Sequence, residues 1–542
     1  GETLPEYMVP KFFERIEEVP LNLNGKVLRK ELKKPKQTIK TQEKVFPHTQ
    51  TEKRLAIIWE EILGIQKIGI KDQFLRIGGD SIKMVAVLGK ITEEFHVKIS
   101  FREFITANTI EKMASLIEGK KGILKETIYK HKEHNVDTEY DEFPLTDVQM
   151  AYLIGRNEGI ALGGISTHGY YEILTHLNIR KLEESLNKVI EIQPMLRAII
   201  SKSGTQKILK EVPRYRISEN DIRGYTDEEQ ENVIKTERQR MSHYVFDTEK
   251  WPLFEFKAFR TDEEEYYLFV GIDLLIADGG SVRIFIRQLL DFYYDRFDKN
   301  RQNAFTFKDY VEALNDFSES STYKEDKDYW MEQISLIPPA PMLPLQKDPS
   351  VIRKPQFARI EKVIPKSEWN VLQKEAKKKG ITTSTLLCTA YALVLGYWSN
   401  QPELTINVTV FTRYPFNEGV TDIVGDFTSV ILLRVNLLGR SDFWKLASEI
   451  QNQLMDALEH RHYDGMNVIR KIAEQAEMKE QAVMPVVFTS LLFSMEEGDI
   501  VTIEDLGEVK MGVSQTSQVY LDYQVMETKE GLLITWDYIK EL

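Results

Sequence analysis

The sequence predicts a small all-α domain followed by a large α/β domain with two lobes. Apolar residues recur at helical spacing through residues 47–119, whereas strand-like hydrophobic runs alternate with amphipathic helices through residues 141–542. The 542 residues suffice for two to four domains, and a hydrophobic content of 42% suits packed cores. We therefore divide the chain into five segments: 1–46, 47–119, 120–140, 141–315 and 316–542.

Charge and cysteine content narrow the possible classes of function. The 71 basic and 84 acidic residues give a net charge of −13, which argues against nucleic-acid binding. The single cysteine, Cys388, lies in an apolar helical pattern and fits core packing in a reducing cytoplasm. The longest apolar run, residues 385–398, is too short and too polar to span a membrane. The scattered histidines show no metal-ligand spacing, so no metal site is expected.

Residues 1–46 begin without a Met or a signal peptide, which suggests a piece cut from a longer polypeptide. This segment is dense in Lys, Glu and Pro and is too short for a core of its own. An Asn24-Gly25 turn between apolar residues predicts a hairpin over residues 20–32, with a solvated tail as the alternative.

Residues 47–119 predict a compact helical unit. Its first helix has an apolar face that includes Leu55 and Trp59, and its last helix runs from Ile110 to Ile117. Between them a helix begins at Ser81, after two glycines that permit a tight turn. Locally, Ser81 has two interpretations: a helix cap or an exposed hydroxyl.

Residues 120–140 are charged and poorly periodic, which predicts a linker. About 20 flexible residues have a root-mean-square reach of roughly 25 Å. A small domain on such a tether is expected to move across the face of its neighbour.

Residues 141–542 predict the two α/β lobes. Amphipathic helices are expected over residues 182–190, 284–292 and 443–458. Strands are expected over residues 266–272, 404–411, 484–492, 517–525 and 532–536. The first of these strands ends on Asp273, and Asp278 follows just before a Gly-Gly turn and Ser281. An apolar strand that ends on acids and a flexible turn is a common way to present groups to a cleft.

The helical unit resembles a peptidyl carrier protein. The resemblance lies in residues 74–82, Phe-Leu-Arg-Ile-Gly-Gly-Asp-Ser-Ile, within a unit of about 75 residues. It implies that Ser81 carries 4′-phosphopantetheine, which a phosphopantetheinyl transferase attaches. Residues 20–32, with Asn-Gly-Lys26, resemble the closing motif of adenylation domains. Residues 1–46 are therefore expected to be the remnant of an upstream adenylation domain.

The large domain resembles the heterocyclization subfamily of nonribosomal peptide synthetase condensation domains. Ordinary condensation domains place paired histidines where Asp273 and Leu274 stand here, and the Asp-x-x-x-x-Asp-x-x-Ser form marks the subfamily. Further matching motifs lie at residues 143–156, 194–197, 204–206, 336–345, 383–398, 425–428, 485–490 and 515–524. Gln193, Ser517 and Tyr523 depart from the usual residues. The resemblance implies a chloramphenicol-acetyltransferase-like pseudo-dimer.

The resemblance also implies a reaction. The amine of a cysteine, serine or threonine on a downstream carrier attacks the upstream thioester, and its side chain then attacks the new amide with loss of water. In the matching motifs Asp522 would shuttle protons, Thr489 would hold the intermediate, and Gln515 would add a hydrogen bond. Without the resemblance, Thr489 reads as a half-buried strand residue and Asp522 as a surface aspartate.

Asp273 and Asp278 are expected to serve structure rather than chemistry. Arg413, in Phe411-Thr-Arg-Tyr-Pro, matches the partner of Asp278 from the other lobe, because a buried carboxylate needs one. Ser281 and Asp426 lie in matching motifs and are expected to support the site. Two alternatives stay open: a condensation domain that forms only the amide, and a catalytically silent platform that recruits carriers.

Overall fold

The computed structural model describes residues 45–79, 81–120, 129–298, 304–439, 442–478, 481–492 and 501–542. The expected hairpin of residues 20–32, with Lys26, lies outside the described residues.

The helical unit is built from four helices around an aromatic core. They are α1 (Gln50–Leu63), α2 (Ser81–Phe95), α3 (Phe101–Thr106) and α4 (Ile110–Lys120). The rings of Trp59 and Phe104 both lie 4.9 Å from that of Phe74, measured between centroids. A Cβ at Gly79 would lie 2.3 Å from the Phe74 ring, so only glycine lets the chain pass this core. The turn thereby fixes Ser81 at the start of α2.

The first lobe is built on a five-stranded sheet. In sheet order, its strands are β12 (Glu508–Gln515), β2 (His168–Thr175), β7 (Tyr266–Asp273), β6 (Phe254–Arg260) and β5 (Ser218–Asp221). A small sheet beside it consists of β1 (Phe143–Pro144), β4 (Thr205–Ile208) and β3 (Ala198–Ile200). The helices of this lobe are α5 (Asp147–Ile154), α6 (Ile179–Ile192), α7 (Asp227–Met241), α8 (Gly279–Tyr293) and α9 (Phe307–Phe317). The expected strand over 266–272 and the expected helices over 182–190 and 284–292 are confirmed by β7, α6 and α8.

The second lobe is built on a six-stranded mixed sheet. In sheet order, its strands are β10 (Thr428–Asn436), β9 (Glu403–Phe411), β11 (Val486–Leu491), β13 (Leu521–Glu527), β14 (Gly531–Ile539) and β8 (Phe357–Pro365). Its helices are α10 (Ser321–Gln333), α11 (Lys366–Lys378), α12 (Thr383–Ser399), α13 (Phe443–Glu459) and α14 (Gly465–Gln475). The helix expected over 443–458 is confirmed by α13. The strand expected over 517–525 begins only at Leu521, because Gln518 has a left-handed φ of 60°.

The two faces of this second sheet differ in chemistry. On one face the rings of Tyr523 and Trp536 pack against Tyr391 of α12, with centroids 4.7 and 5.5 Å from its ring. Because side chains alternate along a strand, Asp522 and Asp537 lie on the opposite face. That face meets the first lobe, since the backbone N–H of Ser514 in β12 donates to Asp537.

One strand departs from a simple division of the chain at residue 316. In sequence β12 falls in the second lobe, yet it pairs with β2 at the edge of the first sheet, with Gln515 opposite His168. The chain therefore crosses between the lobes on both sides of β12. This crossing ties the two sheets together.

The expectation of a freely flexible linker is wrong for residues 129–140. Tyr129 Oη lies 2.8 Å from His462 Nε2, and the backbone N–H of Lys132 donates to Phe416 at 2.8 Å. Nδ1 of His134 lies 2.8 Å from Asp309 of α9. Each contact is to the large domain, so this half of the segment is anchored to it.

The helices of the described residues were compared with the length and apolar character that a membrane span needs. Among them no single helix is long and apolar enough to cross a bilayer, and α11 and α12 reach that standard only as a pair bent by 99°.

Candidate active site

Thr489 and Asp522 form a hydrogen-bonded pair on the face of the second sheet that meets the first lobe. Thr489 Oγ1 donates to Asp522 Oδ1 at 3.0 Å, and it lies 3.1 Å from Oγ1 of Thr409. The register explains this meeting, because Thr489 on β11 pairs with Thr409 on β9 and with Gln524 on β13. The two residues singled out from the sequence are thus brought together.

Gln524 connects this pair to a second carboxylate. Its Nε2 donates to Asp522 Oδ2 at 2.6 Å and to Asp537 Oδ2 at 3.2 Å. Arg359 on β8 then donates to both oxygens of Asp537, at 2.8 and 2.7 Å. Sequence reasoning missed Asp537 and Arg359. The signal was available for Asp537, since an aspartate inside a strand pattern is disfavoured there just as Asp522 is.

The Asp522 carboxyl has a raised pKa. Burial, and then the neighbouring charge of Asp537, raise the pKa of the Asp522 carboxyl to about 6, against hydrogen bonds from Gln524 and Thr489 that favour the charged form. A group with a pKa near the working pH can both accept and return a proton.

Asp278 and Arg413 meet where the lobes join. Arg413 Nη2 lies 3.8 Å from Asp278 Oδ1 and donates to Ser281 Oγ at 2.8 Å. The Asp278 carboxylate also accepts from the backbone N–H groups of Ser281 at 2.6 Å and Phe427 at 3.1 Å. Ser281 Oγ donates to the Gly425 carbonyl at 2.6 Å. Asp278 and Ser281 are buried, and the hydrogen bonds of this junction join the two lobes.

Asp426 is different, because part of it has no partner. It is fully buried, its Oδ1 accepts from the Thr428 N–H at 3.1 Å, and its Oδ2 has no hydrogen-bond partner among the described residues. Burial and the nearby Asp278 charge raise its pKa well above the usual range. Burial is the larger cause, and the charge of Asp426 the next, of a raised pKa of Tyr152 on α5.

Gln515 and Asp273 lie on the sheet of the first lobe, whereas Thr489 and Asp522 lie on the sheet of the second. Gln515, His168 and Asp273 stand in one row across β12, β2 and β7. Gln515 Nε2 donates to the Ser166 carbonyl at 2.8 Å and lies 2.9 Å from His168 Nδ1. Gln515 Oε1 has no hydrogen-bond partner among the described residues, so the expected bond from Gln515 to an intermediate stays a prediction.

Asp273 is held by partners that the sequence did not single out. It forms an ion pair with Arg156 and accepts from Ser166 Oγ at 3.2 Å. Burial lowers the pKa of His168 in the same row to about 4, so this imidazole is neutral at physiological pH. Arg156 belongs to a matched motif, but its partner emerges only once α5 and β7 are placed in space.

The start of α2 suits a phosphate-bearing group on Ser81. Gly78 has a φ of 112°, and no atom lies within 4 Å of where its Cβ would stand. The turn therefore has open space on one side, and the N-terminal N–H groups of a helix favour phosphate. In the described ranges no three His, Cys, Asp or Glu side chains are grouped as metal ligands.

Fold and site together define a carrier followed by a two-lobed domain of the nonribosomal peptide synthetase type. Residues 140–542 match the family model described as condensation domain, and residues 53–117 match that of the phosphopantetheine attachment site. The chain therefore belongs to the condensation-domain family and carries covalent 4′-phosphopantetheine on its helical domain.

Relatives and solved structures agree with this. Bacitracin synthase 1 of Bacillus licheniformis is 38% identical over the whole chain, and phenyloxazoline synthase MbtB of Mycobacterium tuberculosis is 28% identical over 88% of it. The chain spans only 10% and 34% of those two proteins. The crystal structure of the EpoB cyclization-docking bidomain from Sorangium cellulosum matches 84% of this chain and 94% of its own, with a TM-score of 0.74 and 29% identity. The predicted fold, a helical carrier and a chloramphenicol-acetyltransferase-like domain, is confirmed.

Proposed function

We propose that the large domain is a heterocyclization domain, which forms an amide and then closes a ring with loss of water. The hydrogen-bonded pair of Thr489 and Asp522 carries this proposal, because ring closure needs a group that both takes and gives a proton. Leu274 supports it, since the position of the second histidine in ordinary condensation domains holds a side chain that cannot transfer protons. The names of phenyloxazoline synthase and of the EpoB cyclization domain point the same way.

The first step joins two carrier-bound groups. The arm on Ser81, which supplies a thiol, holds the upstream acyl group as a thioester. The amine of a cysteine, serine or threonine on a downstream carrier attacks the thioester carbonyl, and the thiol leaves. The second lobe would orient both substrates on its polar face.

The second step closes the ring on the new amide. Asp522 accepts the proton of the side-chain thiol or hydroxyl as it attacks the amide carbonyl and passes this proton to the carbonyl oxygen, while Thr489 Oγ1 steadies the resulting hydroxyl. Asp522 then accepts the proton of the ring nitrogen and gives it to that hydroxyl, which leaves as water, so that a thiazoline or oxazoline remains. A carboxyl with a pKa of about 6 serves in both directions.

The proposal implies particular partners for the chain. An upstream adenylation domain would load the arm, a phosphopantetheinyl transferase would attach it, and a downstream carrier would bring cysteine, serine or threonine. Cys388 is fully buried as a free thiol, which fits work in the reducing cytoplasm.

Mass spectrometry of the product on the downstream carrier tests the proposal. The full chain, primed on its carrier and loaded with an aminoacyl group, is mixed with a cysteinyl carrier. We expect a product that has lost one water beyond amide formation. An intact amide alone would identify a condensation domain, and no product on the downstream carrier would identify a docking platform. Either result contradicts the proposal.

Ser81→Ala should abolish loading of the chain. The substitution removes the hydroxyl to which we assign the arm, while the turn made by Gly78 and Gly79 keeps its geometry. The mass of the protein after incubation with coenzyme A and a transferase reports attachment directly. Ser115→Ala, on the exposed side of α4, serves as the control and should load as the unchanged chain does. Attachment to the Ser81→Ala chain would place the arm elsewhere.

A further inference from the structure

A continuous line of hydrogen bonds crosses four strands of the second sheet. It runs from Arg359 on β8 through Asp537 on β14 and Gln524 on β13 to Asp522, and ends at Thr489 on β11. We propose that Arg359 and Asp537 are positioning residues, which act through Gln524 to orient Asp522 and to set the pH range in which it works. This inference rests on the proposed heterocyclization, and it names the residues that would regulate the protonation of Asp522.

Gln524 is the residue of this line that orients the Asp522 carboxylate. A side-chain amide has two N–H donors, and here both are directed to carboxylates, one to Asp522 and one to Asp537. Thr489 occupies the other oxygen of Asp522. Both oxygens of Asp522 are thus fixed, and its rotation about the carboxyl bond is opposed from two sides.

The charges along the line are unequal. Two carboxylates, Asp522 and Asp537, share one cation, and Arg359 contacts only Asp537 with bidentate geometry. The side chains of Arg359 and Asp537 are 10% and 1% exposed, so water screens them little. Burial opposes the charge of Arg359, but Asp537 outweighs burial and raises the pKa of the guanidinium. Arg359 therefore stays charged, and its charge offsets that of Asp537 as felt at Asp522.

Other groups facing this line do not compete with Arg359. Asp522 raises the pKa of two phenols, Tyr152 from α5 and Tyr391 from α12, although burial is the larger cause for each. Both phenols are neutral at working pH. Tyr171 on β2 and Glu361 on β8 are the further groups that act on Arg359. Among the described groups that most affect the pKa of Asp522, Arg359 is accordingly the cation.

The two substitutions should shift the pH dependence of ring closure in opposite directions. Arg359→Met leaves the negative charge of Asp537 without its cation, so Asp522 holds its proton to higher pH. The acid-side limb of the pH–rate profile of ring closure therefore moves to higher pH. Asp537→Asn removes the negative neighbour of Asp522 and lets the positive charge of Arg359 act on Asp522, so the same limb moves to lower pH. One charge at this range shifts a carboxyl by about one pH unit or more. A clamp that only held the lobes together would not move the limb in opposite directions.

The experiment measures the pH dependence of ring closure by mass spectrometry, starting from the linear amide on the carrier. Arg238→Met is the control, because Arg238 forms a similar bidentate pair with Glu172, at 2.6 and 2.7 Å, inside the first lobe. We expect opposite shifts for Arg359→Met and Asp537→Asn and none for Arg238→Met. Arg359→Lys keeps the charge, so its limb should stay near that of the unchanged chain while its rate falls.

Two negative outcomes have different meanings. If the unchanged chain forms no ring, the proposed function fails and this inference fails with it. If the unchanged chain forms a ring, but Asp537→Asn leaves the limb in place or moves it upward, only this inference is overturned. Asp537→Asn preserves size and shape, so it keeps the test available even where Arg359→Met fails to fold.

Discussion

Asp522→Asn should leave a chain that still forms the amide but no longer closes the ring. The substitution keeps the hydrogen bond from Thr489 at Oδ1 and the shape of the side chain, yet it removes the group that accepts and returns protons. Loss of a positioned acid–base group lowers a rate by about 10²- to 10⁴-fold. Mass spectrometry of the carrier-bound product separates the two steps, because the amide and the ring differ by one water.

Two further variants define this result. Thr489→Val should slow ring closure less, since it removes the hydroxyl that steadies the intermediate but leaves the carboxylate. Asp262→Asn changes an exposed aspartate in the turn between β6 and β7 and should cyclize like the unchanged chain. Full ring yield from both Asp522→Asn and Thr489→Val would show that the chemistry is carried elsewhere.

Asp278→Ala should destabilise the protein first and reduce activity as a consequence. The change leaves Arg413, with a side chain 17% exposed, without its carboxylate, and it strips the Phe427 and Ser281 N–H groups of an acceptor. Removing one partner of a buried ion pair costs about 3–5 kcal/mol. Urea unfolding, with ring yield measured on the same samples, is the appropriate experiment.

A cap elsewhere in the chain isolates the ion-pair contribution. Asp442 caps α13 through a bond to the Lys445 N–H at 2.9 Å, at an exposed position. Asp442→Ala should therefore cost only about 0.5–2 kcal/mol. Asp278→Ala protein that unfolds at the same urea concentration as the unchanged chain, but makes no product, would assign Asp278 to the chemistry instead.

The sequence predicted those parts of the structure that depend on local patterns. The amphipathic period over residues 443–458 gave α13, and the apolar run ahead of Asp273 gave β7, because burial of one face or of a whole strand leaves a direct trace in the residues. Asp522 was singled out by the family motif that it matches, and its position inside a strand pattern, where aspartate is disfavoured, agreed with that choice.

Relations that depend on strand register were not accessible in this way. Gln515 and Asp522 are close in sequence, yet the first lies on a strand that joins the sheet of the other lobe. Arg359 reaches Asp537 because β8 pairs with β14 across about 180 positions of chain, and no local pattern announces such a pairing. The partner of Asp273 was hidden for the same reason.

The anchored segment that begins at Tyr129 has a consequence for supply of the upstream substrate. Nine residue steps separate Lys120, the end of α4, from Tyr129, and covalent geometry limits them to about 30 Å whatever their path. Under the proposed function, the helical domain is thus tethered to the domain that takes its acyl group. Such a short tether gives an effective concentration on the order of millimolar. A loaded carrier offered in solution at micromolar concentration would meet about a thousandfold excess of the tethered one, so each chain would serve its own arm before any other.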